Sequence, residues 1–141
     1  MRTISSTLPK FDQLEVLFDS HPEVSLDFKH VQNALKKGYQ RPFLLVDSNI
    51  IRQKARRFKA AMPRVHPHYA VKANSEPLIV ETLAGLGCRF DVASPAEVEI
   101  CLAAGVPPEH LSYGNTIKKS ADIAFAYGHG ARLFAFDCEP E

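Results

Sequence analysis

The sequence is poor in the features that announce several common functions. Lys and Arg number 17 against 16 Asp and Glu, a formal net charge of +1. The basic residues are scattered, so no stripe of the kind that neutralises a nucleic-acid backbone is present. No uninterrupted run of about 18 apolar residues occurs, and MRTISSTLPK at the start contains no apolar signal-peptide core. Neither export nor membrane insertion is expected, and the cytoplasm is the default compartment. The three cysteines, Cys88, Cys101 and Cys138, are odd in number and lack CxxC spacing. They read as free thiols in a reducing compartment. A Gly-x-Ser-x-Gly elbow and a glycine-rich nucleotide fingerprint are both missing. His66 and His68 form an HxH pair with no third ligand at a recognisable spacing, too few for a metal site.

What is there is an ordinary globular composition, 45% hydrophobic and 23% charged over 141 residues, enough for one domain with a core. Residues 1–41 are the least regular and read as an N-terminal arm. Phe11, Leu14, Leu17 and Phe18 fall at helical spacing before Pro22, and Val31 and Leu35 suggest a second short helix ending near Gly38.

From residue 42 the pattern becomes repetitive. Pro42 to Asp47 reads as a buried strand, followed by a helix that Ser48 can cap. In that helix Ile51, Ala55, Phe58 and Met62 form an apolar stripe opposite Arg52, Lys54, Arg56 and Arg57, and Pro63 stops it. Strands are then expected over His66–Lys72, Cys88–Ala93, Leu111–Asn115 and Arg132–Asp137. The helices between them run from Ser75 to Leu86, from Ser94 to Gly105 and from Lys118 to Tyr127. Their stops are Gly87, Gly105 and Gly128, and Ser94-Pro95-Ala96-Glu97 is a capping box with proline at the first helical position.

Alternating strands and helices with short loops predict βαβ units and a parallel sheet. Four polar residues close the strands, Lys72, Asp91, Asn115 and Asp137, in steps of 19, 24 and 22 residues. One polar group is thus presented at the same end of each strand, the end from which (β/α) barrels build active sites. A closed (β/α)8 barrel needs about 250 residues, and four units are present here. The expected fold is therefore α/β, an incomplete (β/α)8 barrel over residues 42–141, with a small open doubly wound sheet as the competing architecture. Glu139-Pro140-Glu141 reads as the opening of a further helix.

Lys72 is the first candidate for chemistry. A lysine at the end of a parallel strand can attack a carbonyl carbon as a Schiff-base amine, provided burial or a neighbouring charge helps it lose its proton. The local pattern alone equally allows a solvated strand-end lysine. Ala70, two residues back, leaves room beside it for a flat ligand.

The run Tyr69-Ala70-Val71-Lys72-Ala73-Asn74 resembles the lysine motif of the ornithine/diaminopimelate/arginine decarboxylase family, pyridoxal-phosphate enzymes of the alanine-racemase fold. Phe90-Asp91-Val92-Ala93-Ser94-Pro95-Ala96-Glu97 is similar to the family's second-strand motif. Tyr113-Gly114-Asn115-Thr116-Ile117-Lys118 resembles its Tyr-Ala-Asn-Pro-x-Lys block. Residues 134–141, FAFDCEPE, resemble a Phe-Asp-Ser-Glu-x-Glu strand. Together the four blocks cover about residues 42–141, in the family's order.

That resemblance implies pyridoxal 5′-phosphate as cofactor, held covalently by Lys72. It makes Asp91 a second catalytic and cofactor-binding candidate, since a carboxylate there can hold the lysine ammonium once substrate displaces it. It also makes Ala70 a wall of the cofactor site, and Glu97, Asn115 and Asp137 cofactor-site candidates. Glu97 equally serves the capping box, and Asn115 and Asp137 can equally satisfy loop backbone donors. The phosphate loops, the ring-stacking histidine, the acid for the pyridine nitrogen and the catalytic cysteine of the family fall in a later barrel half and a β-domain beyond this sequence. None of Cys88, Cys101 and Cys138 stands in that cysteine's context. The implied activity is decarboxylation of ornithine, or of lysine and ornithine, to a diamine such as putrescine and CO2 in polyamine biosynthesis, by a homodimer with shared sites, the isolated 141 residues being inactive. Diaminopimelate decarboxylase and a non-enzymatic, antizyme-inhibitor-like regulator are the alternatives.

Overall fold

The computed structural model describes residues 28–38 and 42–139; the helix expected around Phe11 to Phe18 lies outside them. The chain divides into two compact units that meet at Ile50 and Ile51.

In the first unit, helix α1 (Phe28–Lys36) ends with Gly38 in the left-handed region, φ 68°. Helix α2 (Ser48–Ala61) begins in this unit, and its cap differs from the expected one. Asp47 Oδ1 accepts the Asn49 N–H at 2.7 Å, so the carboxylate one residue earlier takes the place given to Ser48. Asp47 Oδ2 also lies 3.8 Å from His30 Nδ1. The strand expected at 42–47 does not form. Apolar composition does not make a strand without a ladder to join, and Phe43, Leu44 and Val46 stay exposed.

The second unit holds the sheet. Strands β1 (His68–Ala70), β2 (Arg89–Val92), β3 (Leu111–Tyr113) and β4 (Leu133–Phe134) are all parallel and lie in chain order, β1-β2-β3-β4. Helices α3 (Pro77–Ala84), α4 (Pro95–Ala103) and α5 (Ser120–Gly128) connect them. A doubly wound sheet reverses its strand order at a switch point. An order that never reverses, with right-handed crossovers, places successive helices on one face. Consistently, α3 packs on α4 and α4 on α5. This is the winding of a (β/α) barrel wall.

The strands are shorter than expected because only the register-paired residues form ladders; the flanking polar residues fall into loops. Alternation fixes which face is core. Phe90, Val92, Leu111 and Tyr113 are fully buried beneath the helices, together with Val80, Val98 and Cys101. The intervening Asp91 and Ser112 are only half-buried on the opposite face. From α2, Ile51 and Ala55 pack on this core, whereas Phe58 and Met62 at the other end of the expected stripe stay exposed.

Each helix returns to the sheet through the same turn. Cys88 N–H donates to Leu83 O and Gly87 N–H to Ala84 O; Val106 and Gly105, then Ala131 and Gly130, repeat the pair on α4 and α5. The glycines sit at φ 68°, 76° and 98°, where a Cβ is penalised, and the residue after each is buried. The third stop is thus Gly130, two residues later than the expected Gly128, which ends α5 itself. Lys59 closes the first turn from outside, its Nζ donating to Leu86 O at 2.6 Å.

Phe90, wholly buried at the centre of the sheet, is the test of this core. Phe90→Ala should cost about 3–5 kcal/mol of stability, read from urea unfolding, whereas Phe58→Ala, at a site 37% exposed, should cost less than about 1 kcal/mol.

Candidate functional site

The carboxyl ends of β1, β2 and β3 define the rim. Strand β1 stops at Ala70, and Lys72 stands in the adjoining 3-10 turn Val71–Ala73. The strand expected to run from His66 through Lys72 therefore starts two residues later and ends two residues earlier, and strict alternation with Ala70 and His68 ends before the lysine. Val71 is anchored in the core while Lys72 is exposed, so the turn fixes its backbone on the core side and leaves the lysine open to solvent. Two bonds pin the chain between this turn and α3. Tyr69 Oη donates to Asn74 O at 3.1 Å, and Asn74 Oδ1 accepts the Glu76 N–H at 3.1 Å ahead of the helix. Burial pushes the Tyr69 phenol up, with the bond to Asn74 opposing it, so it remains a neutral donor.

Ala70, Asp91 and Ser112 are register partners across β1, β2 and β3. Ala70 and Asp91 thus come together in one row across β1 and β2, Ala70 being the last strand residue before the turn bearing Lys72. Ser112 Oγ lies 3.3 Å from Asp91 Oδ1 and 3.0 Å from His68 Nδ1. His68 is held below its ordinary value of 6.5, first by burial and then by Arg89, with smaller contributions from His66 and His110; Asp91 acts in the opposite direction.

Glu97 is turned to the loop between β2 and α4. Its Oε2 accepts the Ala93 N–H at 2.8 Å, while Ser94 Oγ accepts the Glu97 N–H at 3.3 Å. The capping box thus forms, with the carboxylate reaching one residue further back than the usual pattern. Asn115 and Asp137 are not drawn into the Ala70–Asp91 row. Both are exposed in loops, two residues beyond β3 and three beyond β4. The Asn115 carbonyl accepts from Lys118 Nζ at 2.9 Å, and Lys118 also donates to Ala135 O at 2.5 Å. Lys118 thereby ties the loop after β3 to the end of β4.

Sequence reasoning gave no role to Ser112, Tyr69, Lys118 or Gly114, and took His68 only as part of a possible metal pair. Ser112 carried one usable signal: a hydroxyl between two large apolar residues, Leu111 and Tyr113, must face away from the core. Among the described residues no group of three His, Cys, Asp or Glu side chains gathers to hold a metal. Cys101 is buried in the core, its thiol pushed up to about 12 by burial and then by Glu97; it is an inert packing group.

The rim fits a pyridoxal group by its donor set. It offers an exposed primary amine on a pinned turn, a small residue before it at Ala70, and a carboxylate on the adjacent strand.

Two outcomes are expected. Ser94→Ala removes the side-chain acceptor at the start of α4 and should cost about 1 kcal/mol in denaturant unfolding. His68 resists protonation when folded, so the unfolded chain takes up the extra proton. Stability should fall as pH drops from 6.5 towards the lower folded value, with no contribution from this group above 6.5. Unfolding free energies of wild type and His68→Gln measured against pH check this, the variant showing a shallower fall.

Residues 48–141 match the family described as pyridoxal-dependent decarboxylase, pyridoxal binding domain. Ornithine decarboxylase of Rattus norvegicus is 40% identical over 99 residues, covering 70% of this chain and 22% of that protein. Antizyme inhibitor 2 of Xenopus laevis is 41% identical over 99 residues, with the same coverage of 70% and 22%. Among solved structures, lysine/ornithine decarboxylase from Vibrio vulnificus complexed with cadaverine superimposes with a TM-score of 0.75 at 36% identity, covering 83% of this chain and 32% of that one. The chain spans under a quarter of the length of these two curated relatives. With the family match extending over two thirds of its residues and the strand order of a barrel wall, the chain belongs to the pyridoxal-binding domain family of the pyridoxal-dependent decarboxylases.

Proposed function

We propose that this chain forms the lysine-bearing part of a decarboxylase that converts ornithine, or lysine and ornithine, to a diamine and CO2. The observation that carries the proposal is Lys72, exposed on a pinned turn at the carboxyl end of β1 in a domain matched to the pyridoxal-binding family. Bound pyridoxal phosphate supplies an electron sink for the bond to the departing carboxylate. The rest is assigned to side chains. Lys72 Nζ would hold the cofactor through its carbonyl carbon. Asp91, on the adjacent strand, would hold the Lys72 amine in its protonated form whenever it is free of the cofactor, opposite charge favouring the ammonium. Ala70 would leave room beside the lysine for a flat group. Glu97 acts chiefly by shaping the loop above β2, and Asn115 and Asp137 offer polar groups at the rim.

Ornithine and lysine are proposed on the relatives: rat ornithine decarboxylase, and the Vibrio lysine/ornithine decarboxylase whose complex holds cadaverine. A role in polyamine synthesis and a homodimer are proposed on the same likeness. A cytoplasmic location is favoured by the free thiols of Cys88, Cys101 and Cys138. Among the described residues no helix is long and apolar enough to cross a membrane.

A second reading, a regulator without turnover, is favoured by the 41% identity to antizyme inhibitor 2, equal in extent to the match with rat ornithine decarboxylase. Release of CO2 from carboxyl-labelled ornithine and lysine by the full-length protein that carries this chain separates the two. The decarboxylase reading predicts pyridoxal-phosphate-dependent release that Lys72→Ala reduces to background. Cofactor-independent silence with both amino acids would favour the regulator.

A further inference from the structure

On the face of the sheet away from the core, three polar side chains on three strands are joined. His68 on β1 meets Ser112 on β3 at 3.0 Å, and Ser112 meets Asp91 on β2 at 3.3 Å. The hydroxyl has one proton and three candidate acceptors: the Asp91 carboxylate, Phe90 O at 3.5 Å, and the bare Nδ1 of a His68 protonated on Nε2. A charged acceptor forms the stronger bond. The proton therefore goes to Asp91 and Oγ accepts from His68 Nδ1–H. That direction holds for the Nδ1–H tautomer of neutral His68 and for the imidazolium, both of which carry hydrogen on Nδ1.

The space around Asp91 supplies a second, independent observation. Its register partner is Ser112, yet its carboxylate lies against the backbone of Gly114, two residues nearer the rim. A Cβ built on Gly114 would run first into Asp91 Oδ1, the oxygen that Ser112 meets, and would stand 2.6 Å from Cγ and 2.7 Å from Oδ2. Gly114 is not among the glycines with positive φ. A Cβ there would displace the Asp91 carboxylate, whatever the backbone conformation.

We propose that Ser112, backed by His68, is a positioning residue that holds the Asp91 carboxylate at the rim bearing Lys72, in a space kept open by Gly114. The proposal rests on the reading that Asp91 serves Lys72. A carboxylate left to itself on a half-exposed sheet face samples several rotamers. One anchored Oδ1 leaves Oδ2 in a fixed place for the ammonium, so the bond and the missing Cβ together select the productive orientation. Residue 112 therefore tunes the lysine without touching it.

Two measurements on the protein decide the matter. The first needs no cofactor: 15N NMR of the His68 ring, assigned with His68→Gln. Wild type should show the Nδ1–H tautomer. Ser112→Ala should shift it towards Nε2–H, and Asp91→Ala should do the same by freeing the serine proton. An unchanged tautomer in Ser112→Ala overturns the brace. The second is the rate at which pyridoxal phosphate is fixed on Lys72, read by borohydride reduction and peptide mass. Ser112→Ala should quicken it about tenfold, because a carboxylate that has lost its hydrogen bond no longer holds Lys72 as the unreactive ammonium, and Ser112→Thr should restore both readouts. Gly114→Ala should quicken it to a similar extent with little change in thermal unfolding. The double variant should be no faster than either single one, because both act through Asp91. Equal rates in wild type and Ser112→Ala overturn the positioning role. A wild-type Lys72 that resists labelling overturns the cofactor reading and the service assigned to Asp91, while the tautomer shift still decides whether the brace exists.

Discussion

A parallel ladder gives every strand the same direction, and the rest of this structure depends on that constraint. Because β1 to β4 pair in chain order without reversal, each strand delivers its succeeding loop to one edge. Lys72, Asn115 and Asp137 reach that edge by chain direction alone, and Asp91 reaches it from within β2. The helices supply the counterweight. Their repeated glycine turns set each return to the sheet, and Cys88, Val106 and Ala131 are buried where the chain re-enters the layer. One face is consequently sealed by Phe90, Val92, Leu111 and Tyr113, and the opposite face is left for polar side chains.

The two faces divide the labour cleanly. Packing on the sealed face holds the strands to one register, and a slip of one residue would exchange Asp91 for Phe90 on the polar side. The polar row is therefore held in place by side chains packed on the opposite face. Tyr69 illustrates the connection. Its ring meets the Phe90 ring edge-on at 6.3 Å between centroids, while its hydroxyl pins the loop after Lys72. One side chain thus joins the core to the lysine turn.

Much of this was legible in the sequence, and the reasons differ by feature. The βα alternation, the parallel sheet and the proline and glycine boundaries are local signals, so α3, α4 and their stops fall within a few residues of expectation. Motif and position put Lys72 and Asp91 at the carboxyl ends of their strands, and the structure has Lys72 in the turn after β1 and Asp91 within β2. The Pro42–Asp47 strand was misread because an apolar run reports a desire for burial and not the presence of a pairing partner. The cap of α2 moved from Ser48 to Asp47 because two adjacent residues could both accept. Ser112 and Gly114 matter through contacts across β2 and β3, separated by more than twenty residues from Asp91, and no spacing rule reaches that far. Asn115 and Asp137 follow the carboxyl ends of β3 and β4 as their spacing implied, but in exposed loops and not within the strands, which are shorter than the apolar pattern suggests.

The central claim is that the geometry at the end of β1 makes Lys72 the residue that carries the cofactor. The most direct test is to incubate the protein with pyridoxal phosphate, reduce with borohydride, and map the phosphopyridoxyl group by peptide mass. The account predicts modification concentrated on Lys72, with the other lysines, including Lys59 and Lys118, labelled only at the level of the Lys72→Ala variant. Label distributed evenly over surface lysines, with Lys72 no more reactive than its neighbours, would contradict it.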